Sequence, residues 1–369
     1  KAGRRRVHFK ADRVGDAAFT AWDKFQIARD RWKNVDLILL HPPGNASLAP
    51  REFAAMKAAL AECAAITGVE YPYPCLTLVD PPEGAGGAGG MEYPTLVTGW
   101  TVSPFTPESM RWPDVVIAHE VCHQYFYGIL ASNEFEHPWM DEGMTSYMEV
   151  RTANRAGWEM LRWGDFRLAG IGEHRLANAM DEGRERPGKA SWEFAGNDAY
   201  GLLVYSRSAV WFQTLENRIG AEAMRRVFTA YAAKWKFRHP APEDFFSVLQ
   251  DVAGPDAEDF LRRGLETGQK LDFAVRSAVC EKNDTVKSPA KTDKKKPSKG
   301  KEKQTPSWRV RVVVENRGEF ELPVDLLCVM KDGTRQRFTW DGRGDWKAFE
   351  FDSPSPLAEL LLSHLSLLV

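Results

Sequence analysis

Between residues 119 and 142 the chain sets two histidines four apart, His119 and His123, with Glu120 beside the first and, after a gap of eighteen residues, Glu142. On a helix, positions i and i+4 share one face about a turn apart, so both imidazoles can address a single ion. Two imidazoles and one carboxylate form the ligand set of a catalytic zinc site, which keeps a fourth position for water. That set constrains the fold: a helix carrying both histidines has to pack against a second segment carrying Glu142. Glu120 is rotated off the ligand face by one residue, within reach of such a water without binding the ion. A metal-dependent peptide hydrolase needs this arrangement, although the His-Glu-x-x-His string alone also arises by chance.

The flanking residues favour the chemical reading. Trp112-Pro113-Asp114-Val115-Val116-Ile117-Ala118 places a proline in a first helical turn and then runs apolar, which puts His119 well inside a buried helix. Glu142 opens a second helical segment running to Val150, with Asp141 placed to cap it. Glu149 lies two turns beyond Glu142 on the same face, where it can accept a proton from a ligand imidazole.

Three other groups bear on chemistry. The glycine-rich run 84–90 has neither a P-loop ending nor dinucleotide-site spacing. Its first half reads as a surface loop, whereas Gly89-Gly90-Met91-Glu92 suits an edge strand that pairs with an extended peptide. Glu92 would then offer a carboxylate to a substrate's positive end, although spacing by itself favours an ordinary loop. An oxyanion needs a donor besides a metal. Tyr205, at the start of a long apolar helix, and Tyr200 both qualify, and sequence physics reads either first as core packing. His137, between the ligands, reads as a loop residue, since a fourth protein ligand would close the water position.

The chain's order is sheet first and helices after, which gives an α+β expectation with a small sheet lobe over a helical lobe. Strands are expected at 35–40, 75–79 and 95–98, and helices at 51–67, 202–218, 221–234, 242–253 and 256–267. Residues 281–306 hold nine of the chain's 49 basic residues and four of its 51 acidic ones, so the rest carries 40 against 47, a net of −7. An acidic body argues against nucleic acid as the main partner. The Lys/Pro/Ser-rich stretch 281–307 reads as a disordered linker. Beyond it, strands at 308–314, 324–330 and 336–340 form a separate small β-sandwich-like unit over 308–369. Five cysteines with no CxxC pair make no disulfide framework, which tilts the expected compartment toward the cytoplasm. The longest apolar stretch, 357–369, is too short to span a bilayer and reads as a packed terminal segment.

The pieces Gly89-Gly90-Met91-Glu92-Tyr93, His119-Glu120-Val121-Cys122-His123, Trp139-Met140-Asp141-Glu142-Gly143 and Tyr205-Ser206-Arg207-Ser208, in that order, resemble the aminopeptidase N family of gluzincin metallopeptidases. That family also includes the leukotriene-type epoxide hydrolases. The resemblance implies a thermolysin-like catalytic domain over 12–280 and one zinc ion on His119, His123 and Glu142. It implies Glu120 as general base and Tyr205 as oxyanion donor. It further implies Glu92 as the holder of a peptide's free α-amino group, with Gly89, Gly90 and Met91 along the peptide's path. Residues 1–11 match the end of the family's N-terminal β domain, which usually supplies a further amine-binding residue. Tyr93 and Asp141 stand where asparagine is commoner. Peptides with a free N-terminus are the expected partners. An endopeptidase or epoxide hydrolase built on the same site, and a silent zinc-bound scaffold, are the alternatives.

Overall fold

The computed structural model describes residues 6–100, 103–163, 166–180, 185–283 and 307–363. Two compact units divide the chain, Lys1–Gly268 and Gln269–Val369. The first combines small sheets with helices, a mixed α/β arrangement.

In the first unit, strands β1 (Gln26–Trp32), β2 (Val35–His41), β3 (Cys75–Val79) and β4 (Leu96–Thr98) form one sheet in that order. The β1–β2 pair is antiparallel and the other two pairs are parallel. Helix α1 (Ala49–Thr67) makes the crossover between β2 and β3. It has Pro50 in its first turn and ends at Gly68, whose φ of 68° is the left-handed conformation that glycine adopts without strain. Phe53, Met56, Leu60 and Cys63 on its inner face are buried. β1 was not expected from the sequence; only Ile27 and Trp32 are large apolar residues in it, and most of its length is exposed.

Helix α2 (Trp112–Phe126) begins with Pro113 in its first turn, as the sequence predicts, and is buried along nearly its whole length. A wide π-helical turn, Trp139–Gly143, then leads directly into α3 (Met144–Ala156). After the β5–β6 hairpin (Glu159–Trp163, Phe166–Ala169) come α4 (Ile171–Met180), the short α5 (Asn197–Tyr200) and a second π-helical turn, Gly201–Arg207, which opens α6 (Ser208–Ile219). Helices α7 (Ala221–Trp235), α8 (Pro242–Ala253) and α9 (Pro255–Glu266) complete the unit. An aromatic core of Trp139, Tyr147, Phe212, Phe228, Phe245 and Phe246 backs the first π turn, with Trp139 and Phe246 centroids 5.6 Å apart. Arg151 ties α3 to its neighbours, donating to Glu62 of α1 at 2.8 Å and to Glu216 of α6.

The second unit has two three-stranded antiparallel sheets. One orders β11 (Trp346–Ser353), β8 (Ser307–Asn316) and β7 (Phe273–Asn283), and the other orders β10 (Arg335–Trp340), β9 (Val324–Met330) and β12 (Leu357–Ser363). Their facing side chains, including Val310, Val312, Leu326, Cys328 and Trp340, form one core. The boundary falls earlier than the sequence suggested: β7 pairs with β8 from Phe273↔Asn316 to Asn283↔Ser307, so residues 273–280 belong to this unit. Most of β7 is half-buried or exposed, which thins the apolar signal that would have marked it as a strand. Of the expected linker, 281–283 and 307 are strand ends, and 284–306 lies outside the described residues. Before Gln26 the described residues form no helix or strand, and 1–5 lie outside them. Among the described residues no helix is long and apolar enough to cross a membrane.

Candidate active site

Helix α2 presents His119 and His123 on one face, and the π turn carries Glu142 up to them. The His119 Nε2–His123 Nε2 distance is 3.1 Å, and Glu142 Oε2 lies 3.0 Å from the first and 3.1 Å from the second. Bonds of 2.0–2.1 Å to a tetrahedral ion would separate such donors by roughly 3.3 Å, so the three atoms stand at nearly the spacing a small divalent cation imposes. Each imidazole is held from behind. His119 Nδ1 faces Glu149 Oε2 at 2.9 Å, and His123 Nδ1 faces Asp141 Oδ1 at 2.6 Å. Glu149 also lies 3.6 Å from His174 Nε2, whose Nδ1 is 3.1 Å from Ser206 Oγ.

Asp141 does not cap a helix. It sits within the π turn, 1% exposed, and the residue preceding α3 is Gly143, which makes no side-chain cap bond. The helical path begins at Trp139, ahead of where an acid in front of an apolar run would place it. Asp141 is therefore free to reach His123.

The charges follow from burial and proximity. Burial alone would depress the His119 imidazole, but hydrogen bonds to Glu142 and Glu149 outweigh it and raise it to about 10. His123 is raised too: burial is overcome by Asp141 and Glu142. Against its own burial, Glu142 is held well below the usual carboxylate range by His123 and His119. The pocket is built to stabilise positive charge.

Glu120 is 5% exposed, its Oε2 has no hydrogen-bond partner, and burial pushes its carboxyl up to about 7. The Tyr205 hydroxyl donates to Glu142 Oε1 at 2.5 Å, and its ring stacks on His119 with centroids 5.7 Å apart. Burial and then Glu142 raise the phenol above its ordinary value, so it stays protonated. Tyr200 packs edge-on against Tyr205, 6.1 Å away, and does not line the cavity. His137 lies outside the triad, with Glu136 4.0 Å away.

A cavity of about 320 Å³ joins these groups to Gly90, Glu92, Trp100 and Trp112. Gly90 has φ 68°, and a Cβ there would lie 3.6 Å from Glu120 Oε1. A Cβ on Gly89 would come within 2.7 Å of the Gly99 carbonyl, so only glycine fits this close backbone approach. Met91 bridges antiparallel to Thr98 at the sheet edge. Gln124 carried no mark in the sequence. Its amide donates to the Glu92 and Tyr93 carbonyls at 2.9 and 3.1 Å and accepts from the Thr95 N–H at 2.8 Å, pinning the Glu92 turn to α2.

Residues 51–263 match the peptidase family M1 domain. Aminopeptidase M1-C of Oryza sativa subsp. japonica is 25% identical over 199 residues, covering 52% of this chain and 22% of that protein. Tricorn protease-interacting factor F2 of Thermoplasma acidophilum is 22% identical over 236 residues, 63% of this chain and 30% of that one. The chain thus spans under a third of the length of these relatives. An aminopeptidase A of Legionella pneumophila, solved with aspartic acid, superposes with a TM-score of 0.59 at 15% identity, over 89% of this chain and 36% of its own. An M1 zinc metallopeptidase from Deinococcus radiodurans gives 0.50 at 17% identity, over 65% and 51%. With the family's domain matched over more than half of its residues, the chain belongs to peptidase family M1.

Proposed function

We propose that the chain is a zinc-dependent aminopeptidase that removes N-terminal residues from peptides, on a catalytic unit of thermolysin-like design. One observation carries this: three donor atoms converge within 3.1 Å of one another beside the buried, unpartnered carboxylate of Glu120. His119, His123 and Glu142 would hold the ion, and the observed donor spacing and mixed N,N,O chemistry fit zinc. When bound, zinc would lower the pKa of its water to about 7 and polarise a carbonyl oxygen.

The chain's own residues supply the rest. Glu120, raised to about 7, takes a proton from the attacking water and returns it to the leaving amine; a carboxyl poised near neutrality suits both tasks. Tyr205 keeps its proton and donates a hydrogen bond to the developing oxyanion, turning from Glu142 to do so. Glu92 holds the substrate's ammonium while Gly89, Gly90 and Met91 line the peptide's path.

Glu120→Gln is expected to lower kcat by about 10²–10⁴, with metal content by elemental analysis unchanged. Retained turnover would remove Glu120 from the chemistry. Cleavage of N-acetylated peptides as fast as free ones would make the enzyme an endopeptidase instead.

A further inference from the structure

Carboxylate oxygens of Glu92, Glu134 and Asp141 lie within 4.8 Å of one another, and Glu92 among them lines the cavity. Acids gather without ligands on many surfaces, but this group has a buried member that no side chain pairs with among the described residues. Glu92 is 9% exposed and lines the cavity with Glu120, and among the described residues no side chain donates to its carboxylate or pairs with it. Asp141 is engaged on one oxygen by His123. Glu134 is half-buried on the loop after α2, likewise with no cationic partner among the described residues.

That loop is fixed. Asn133 Oδ1 accepts from the Phe135 and Glu136 N–H groups at 3.1 and 3.3 Å, and Ser191 Oγ donates to the Glu134 carbonyl at 3.1 Å. Burial raises both Glu92 and Glu134 above the ordinary carboxyl value against the pull of His123, with Asp141 and Glu142 adding to the first, and Glu92 and Glu142 to the second. Anions gathered in a half-dry site are costly until a cation joins them. A primary ammonium carries three N–H donors, and three carboxylates here offer an acceptor each.

We propose that Glu134 is a second anchor for the substrate's N-terminal ammonium, sharing it with Glu92 while Asp141 adds charge beside them. The proposal rests on the aminopeptidase reading and adds a residue to it. Free-amine selectivity is then written in two places, the glycine-rich turn and the loop after α2.

The test uses the zinc-loaded full chain and leucinol, a primary amine with no scissile bond, with binding measured by titration calorimetry. Glu134→Gln is expected to raise the leucinol Kd at least fivefold and to leave N-acetyl-leucinol binding as in the parent. Glu134→Asp, which keeps the charge, is expected to recover most of the affinity, a rescue that a merely structural role would not produce. With leucine p-nitroanilide the Gln variant should lose more in KM than in kcat. An unchanged leucinol Kd overturns the proposal. So does loss of a bound calcium ion from the Gln variant with leucinol affinity intact, which would make the cluster a cation site. Leucinol binding that depends on Glu134 without any turnover would sink the aminopeptidase reading and leave this anchor standing. Turnover of free amines indifferent to Glu134 would do the reverse.

Discussion

A neutral imidazole offers one lone pair, and the partner on the other nitrogen decides where it points. Glu149 and Asp141 take the Nδ1 positions, so both Nε2 atoms face Glu142. Asp141→Asn is expected to weaken zinc binding by about 10–100-fold, the usual cost of losing such a partner, measured by competition with a chelator. Unchanged affinity would mean that Thr145, 3.2 Å from the same nitrogen, suffices. The ligand spacing and the Glu149 contact were readable in the sequence because both follow helical periodicity. The Asp141 contact was not, since an acid ahead of an apolar run looks the same whether it caps a helix or lies inside one. Glu134 left no trace either; nothing in its loop is periodic.

At the scale of elements, the helices with proline starts and glycine stops were legible almost to the residue: α1 ends at Gly68, and α2 starts at Trp112. The π-helical turns were not, because the extra residue they hold has no compositional mark. Gly143 is where they meet. A Cβ there would lie 2.6 Å from the Ser208 Cβ and 3.1 Å from the Val204 carbonyl. Gly143→Ala is therefore expected to destabilise the fold by about 1–3 kcal/mol, the range for overpacking, and to lower metal content as Glu142 is pushed aside. A melting curve and elemental analysis check both, and an unaltered Tm would refute the contact.

For the whole molecule the relevant variable is proton competition. Without metal, the His119 contribution to stability is fully present below its ordinary 6.5 and is lost as pH rises through about 10. The same proton must leave before a cation can bind. Apparent zinc affinity should thus fall on acidification across pH 8 to 6, by about tenfold per unit for each proton displaced, as read by chelator competition. A flat profile would mean the imidazoles are already neutral in the metal-free protein. The two-unit organisation was legible in outline from the Lys/Pro/Ser-rich composition of 281–307. Its boundary was missed because β7 precedes the Lys/Pro/Ser-rich stretch in sequence while its pairing partner follows it.

Each π turn contains one residue more than an α-helical turn would use, and that surplus sets the phase at which Glu142 and Tyr205 leave the helix axis. Length, rather than chemical identity, is then the fragile variable. Deleting a residue other than Asp141, Glu142 or Tyr205 from either turn would keep every donor in the chain and still scatter the constellation, because every later residue of that helix would be rotated by about 100°.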